Sequence, residues 1–176
     1  MKKLIIVALL LALTVTTQAQ DAQIQHIRKL FNQTKDIVDH GNPALPPEHP
    51  HNETIVTNQY MAPGAGPIRD VVHYYYSGDH DPEIDATIYK PYFISRKHND
   101  GYWKYYEEFL FDKDNLVFYY CKRTGEDEVD EYRYYWGPEG FLKSDVKGSI
   151  SMDEVFTARL ANDLVEAFNK LMNRDY

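Results

Sequence analysis

The chain has 176 residues, 19 Lys and Arg against 27 Asp and Glu, a formal charge of −8, and a single cysteine. An acidic chain repels phosphate backbones and anionic lipid, so nucleic acid and membrane surfaces are poor partners, and one cysteine excludes an internal disulfide framework. The length suits one domain with a core of its own.

Residues 1–19 read as an export signal. Lys2 and Lys3 form a basic start, Leu4 to Val15 an uncharged apolar run, and Thr17-Gln18-Ala19 a small-residue cleavage region. The run is short of the roughly 20 apolar residues a membrane span needs, so no stable membrane insertion is expected after cleavage. The Lys-Lys start has a bacterial style, and the expected address is periplasmic or secreted. Without Lys2 and Lys3 the formal charge becomes −10. Residues 20–176 are then a single domain.

From Ile24 to Val38 apolar residues recur at three- and four-residue spacing, one stripe of an amphipathic helix, which His40-Gly41-Asn42-Pro43 ends. A Pro-rich connection over 42–52 follows, with no core-forming pattern. Glu53 to Met61 predicts a first strand, Ala62 to Pro67 a turn, and Ile68 to Tyr76 a second strand. Ser77 to Glu83 reads as a polar loop, and Ala86 to Ser95 as a third strand whose Pro91 calls for an edge or a bulge. Arg96 to Gly101 reads as a loop.

Tyr102 to Lys122 is the strongest stretch: two β-forming aromatic runs around Asp112-Lys-Asp-Asn115, the pattern of a central hairpin. Glu131 to Trp136 is a sixth strand and Phe141 to Val146 a short seventh. Phe109–Val117 and Tyr134–Leu142 match position by position 25 residues apart, which implies a repeated hairpin within a meander. Ser151-Met-Asp-Glu154 reads as a capping box before a helix running to about Asn173. In it Phe156, Leu160, Leu164, Phe168 and Leu171 line one stripe, Ala161, Val165 and Met172 widen it, and Arg159, Asp163, Glu166 and Lys170 lie opposite. The expected fold is α+β: an N-terminal helix, an antiparallel β-meander of six or seven strands, and a C-terminal helix packed on one face of the sheet.

Alternation assigns Trp103, Tyr105, Phe109, Phe111, Tyr132, Tyr134 and Trp136 to the core face. The other face carries Lys104, Tyr106, Glu108 and Leu110 with Glu131, Arg133 and Tyr135, and is expected to stand free. Tyrosine mixed with charge is what a wet sheet face or a binding surface presents. The candidate ligand-binding residues are therefore Tyr106, Glu108, Arg133 and Tyr135, for a protein or glycan partner, in a non-catalytic, monomeric module.

Catalytic patterns are sparse. Glu107 and Glu108 point to opposite sides of a strand and cannot flank one bond. There is no Gly-x-Ser-x-Gly, phosphate-binding loop or His-Glu-x-x-His. Glu48-His49-Pro50-His51 and Asp79-His80-Asp81 read as solvated loops, and Asp112 to Asn115 fails as a calcium loop, with Val117 and Arg123 where Gly and Glu belong. No catalytic residue, metal or cofactor is expected. Two rivals are a small hydrolase using His73, Asp79, His80 and Asp81, and an inhibitor-like protein presenting the loop at 43–52. Cys121, inside an apolar strand, reads as a buried small side chain, with half of an intermolecular bridge as the alternative.

Overall fold

The computed structural model describes residues 2–45, 51–64, 66–148 and 153–173, with side chains from residue 18 onward. Its order is α1 (Lys2–His40), β1 (Glu53–Ala62), β2 (Gly66–Asp81), β3 (Ala86–Asn99), β4 (Lys104–Asp112), β5 (Asn115–Thr124), β6 (Val129–Gly137), β7 (Gly140–Lys147) and α2 (Glu154–Met172). The seven strands form one antiparallel sheet in sequence order, with β1 and β7 at its edges. This is the expected meander between two helices. Residues 46–50 of the Pro-rich connection lie outside the described residues.

The central hairpin closes through Lys113 and Asp114, both at positive φ (49° and 67°). Two consecutive left-handed residues make the turn whose twist matches paired strands. Gly41, at φ 96°, ends α1 by donating its N–H to the Ile37 carbonyl at 2.8 Å.

Three hairpins, β2–β3, β4–β5 and β6–β7, carry a bulge on the returning strand. Tyr75 faces Phe93 while Tyr76 faces Pro91, leaving Tyr92 extra; Val117 and Leu142 are extra in the same way. These positions, 92, 117 and 142, are 25 residues apart. The repeat seen in two copies thus has a third, and Pro91 sits at a bulge, where a missing N–H is tolerated.

Sandwiched between α1 and α2, the sheet has two cores. On the α2 side Val72, Tyr74, Ile94, Phe109, Phe111, Tyr119, Cys121, Tyr132 and Tyr134 pack on Ala161, Leu164 and Phe168. On the other side Tyr75, Phe93, Leu110, Phe118 and Tyr135 receive Ile24 and Ile27, with Leu30, Phe31 and Val38 beside them. The bulges help here. They turn Tyr92 and Phe93, and likewise Val117 and Phe118, toward the same helix, which widens its seat. Each fully buried side chain of this kind is worth about 1.5–3 kcal/mol.

Four local expectations need correction. Ser77 to Asp81 is strand, because its backbone pairs with Ala86 to Lys90 in a two-stranded arm regardless of polarity. Arg96 to Asn99 is strand for the same reason, paired with Lys104 to Glu107. The cap of α2 is Asp153, whose carboxylate accepts the N–H groups of Val155 and Phe156 at 2.7 and 3.1 Å. A carboxylate there also meets the positive end of the helix dipole, and Ser151 lies outside the described residues. The apolar face of α2 is the expected one at Ala161, Leu164 and Phe168, with Leu160 packed beside them, but its first turn buries Thr157 and leaves Phe156 54% exposed. Small residues at 157 and 161 let the helix approach a sheet already filled by tyrosine rings.

Candidate functional site

The face expected to be free is divided. Its turn-side half is apolar and lies under α1; a polar margin that includes Glu108 and Asp145 is bonded to α1, and the row beyond it carries exposed lysines. Tyr135 is only 2% exposed, with the Arg28 guanidinium over its ring and donating to its hydroxyl at 3.3 Å. Glu108 is buried and takes the Lys35 ammonium at 3.2 Å and the Tyr106 hydroxyl at 2.5 Å. Burial opposes the charge on Lys35, but Asp39 and Glu108 outweigh it and hold the ammonium above its ordinary pKa. Burial and the bond to Glu108 likewise raise the Tyr106 phenol. Gln20 donates to the Leu142 carbonyl and Arg28 pairs with Asp145 at 3.2 Å, so α1 is pinned at several points along its length. The expectation of an entirely open face is therefore wrong: the stripe from Ile24 to Val38 needs an apolar seat, and Phe93, Leu110 and Phe118 supply it.

What remains open is a basic surface. Cross-strand register places Thr57, Val71, Lys97, Tyr106, Lys122, Glu131 and Lys147 in one row across all seven strands, each directly opposite the next. Ser95, Glu108, Tyr120, Arg133 and Asp145 form the neighbouring row. Lys97, Lys122 and Lys147 are exposed and stand at intervals of 25 residues, each five positions beyond a bulge. With neighbouring strands roughly 4.8 Å apart, alternate-strand lysines recur about every 10 Å. Exposed Lys104 stands beside this row on the same face.

The rings in this surface carry the cations rather than offering free faces. Lys97 lies over Tyr106 at 5.6 Å and Arg133 over Tyr120 at 4.9 Å. Glu131, the carboxylate within the row, accepts from Arg133 at 3.0 Å and sits 3.8 Å from Lys147. The hydrogen bond from Arg133, with the charges of Arg133, Lys147 and Lys122, lowers its pKa against partial burial. Glu126, Asp127 and Glu128 occupy the β5–β6 turn beyond the row. Tyr106, Glu108 and Arg133 thus belong to adjacent rows, while Tyr135 is buried beneath α1. Sequence reasoning missed the three lysines. Extending the 25-residue match by five positions would have reached two of them.

Elsewhere polar chemistry serves the fold. Glu107, 1% exposed, accepts from Tyr119 at 2.7 Å and Arg96 at 3.2 Å, with His98 Nε2 at 3.2 Å. Arg96 also grips both oxygens of Asp70 at 2.9 Å. A cavity of about 400 Å³ opens above this network, walled by Tyr60, Phe156 and Leu160. An apolar groove of about 840 Å³ lies between α1 and the turns at 112–115 and 137–140. Neither is lined by His73, Asp79, His80 or Asp81. Those residues run along β2, where the seven positions from His73 to His80 span about 23 Å at the strand rise. Among the described residues no three His, Cys, Asp or Glu side chains converge as a metal site.

Cys121 is fully buried, and burial first, then the Glu107 charge, pushes its thiol up to about 12. A thiol that is neither ionised nor reachable does not react. Native protein at pH 8 should therefore leave a disulfide-exchange reagent unreacted over an hour, and denaturant should release one thiol per chain. Rapid native labelling would place Cys121 outside the core.

Compared with known protein families, curated proteins and solved structures, the chain matches none.

Proposed function

We propose that the protein is an exported, non-catalytic binding module that holds an acidic glycan along the row Lys97, Tyr106, Lys122 and Lys147, with Lys104 and Arg133 beside it. The observation that carries this reading is the lysine repeated at one position of three successive hairpins, on the part of the sheet that α1 leaves open. In a chain of net charge −8, a line of exposed cations on one face makes a local attractive field. Sheet twist of roughly 20–25° per strand winds the row through about a quarter turn between Lys97 and Lys147. A flexible linear polyanion can follow that course better than the rigid face of a folded protein. Since Lys97 and Arg133 cover the tyrosine rings, recognition rests on charge more than on sugar stacking.

Titration with polygalacturonate, a linear carboxylate-bearing glycan, tests the proposal by calorimetry at low and moderate salt. Binding should weaken with salt, and neutral amylose should not bind. Exposed charge pairs are worth about 0.2–1 kcal/mol each, so Lys97→Glu, Lys122→Glu and Lys147→Glu together should weaken binding about 3- to 150-fold. Binding that the triple variant retains overturns the site. A preference for poly-glutamate overturns the glycan in favour of an acidic protein.

A further inference from the structure

The two edges of the sheet are built differently. β7 carries Lys143, Asp145 and Lys147 within eight residues and a bulge at Leu142, features that discourage further strand pairing. β1 has none of these. From Thr54 to Ala62 it holds no charge and no proline, and Ile55, Thr57, Gln59 and Met61 are exposed. Its sequence, rich in threonine, isoleucine, valine and tyrosine, favours extended pairing.

Three hydrogen bonds fix which backbone groups of β1 are unpaired. The Tyr76 N–H donates to the Asn52 carbonyl at 3.0 Å, so Asn52 is bonded inward. Asn99 receives the Arg69 N–H and donates to the Pro67 carbonyl, so Arg69 and Pro67 turn their groups toward β3 and away from Gln59 and Met61. By the alternation of an antiparallel ladder, Glu53, Ile55, Thr57, Gln59 and Met61 direct N–H and C=O outward from the sheet.

We propose that β1 pairs antiparallel with β1 of a second copy of this chain, about a two-fold axis at Thr57. That register sets Glu53 opposite the second copy's Met61, Ile55 opposite its Gln59, and Thr57 opposite its Thr57. Every outward-bonding residue then meets another, which is the self-complementarity a two-fold interface requires. The strand's one charge, on Glu53, meets a methionine and never its own copy, so the pairing is free of like-charge opposition. A monomer, expected from the sequence, would leave this edge, with Glu53 its one charge, uncovered by the described residues.

Sedimentation velocity of the full domain at tens of micromolar tests the proposal. The wild type should sediment as a dimer. Thr57→Lys, which opposes two ammonium groups at the axis, and Thr57→Pro, which deletes an outward N–H that β2 does not use, should sediment as monomers with unchanged circular dichroism. Thr57→Cys should cross-link to a covalent dimer under mild oxidation, because opposed residues in such a pair lie within disulfide reach. A wild type that stays monomeric at these concentrations overturns the pairing. So does a dimer that both Thr57→Lys and Thr57→Pro leave intact. If either variant proves unfolded, absence of the Thr57→Cys cross-link in dimeric protein overturns the register.

Discussion

Glu107→Ala should lower the stability of the domain by about 3–5 kcal/mol, the loss typical of breaking a buried charge pair from one side. The carboxylate is 1% exposed and is shared by the Tyr119 hydroxyl, the Arg96 guanidinium and the His98 ring. Removing it leaves Arg96 with Asp70 in a mostly buried position, and takes from Tyr119 a carboxylate to which its buried hydroxyl donates. Glu107→Gln should cost less, since the amide oxygen can still accept one bond while the charge is lost. For a domain of this size the alanine variant should melt at least about 6 °C lower. Thermal unfolding followed by circular dichroism checks this. A change within about 0.5 kcal/mol, the range of ordinary surface substitutions, would show that the network is loosely hydrated.

Phe168→Ala should be comparably damaging, at about 3–5 kcal/mol for an aromatic ring removed from a packed core. Its ring is fully buried and lies 5.3 Å from that of Tyr74 and 5.4 Å from that of Tyr76, so truncation opens a cavity between helix and sheet. Phe156→Ala, on the same helix but 54% exposed, should shift stability far less, within about 1 kcal/mol. Chemical denaturation of the two variants side by side tests the helix phase directly. Equal losses would restore the stripe that runs through Phe156.

That phase shows where sequence reading stops. Hydrophobic spacing reveals that 154–172 is helical, but in the first turn it weights Phe156 above Thr157. Small residues at a helix–sheet contact carry no such signal, although they decide how closely the layers approach. The arm at Ser77 to Lys90 was hidden for a different reason: backbone pairing needs no apolar side chains, and Ser-Gly-Asp-His-Asp resembles a loop by composition alone. The hairpin at 102–122 was legible because aromatic alternation and turn chemistry agree there. Tyr106 and Arg133 were recognisable as face residues, but alternation treats a strand face as uniform. It could not show that the half holding Leu110, Phe118 and Tyr135 belongs to α1.

The bulges have a further effect on this arrangement. Below each one the paired residue numbers add to an odd total, as in Asp112 with Asn115, and above it to an even total, as in Leu110 with Phe118. The extra residue therefore acts as a frame shift that reverses which side every later residue of the strand presents. Deleting Val117 alone would swing Lys122 inward toward α2 and turn Tyr119 and Cys121 out. Sequences descended from this one should therefore gain or lose residues in these hairpins in even numbers, or a whole hairpin at a time, while single-residue changes in length are purged.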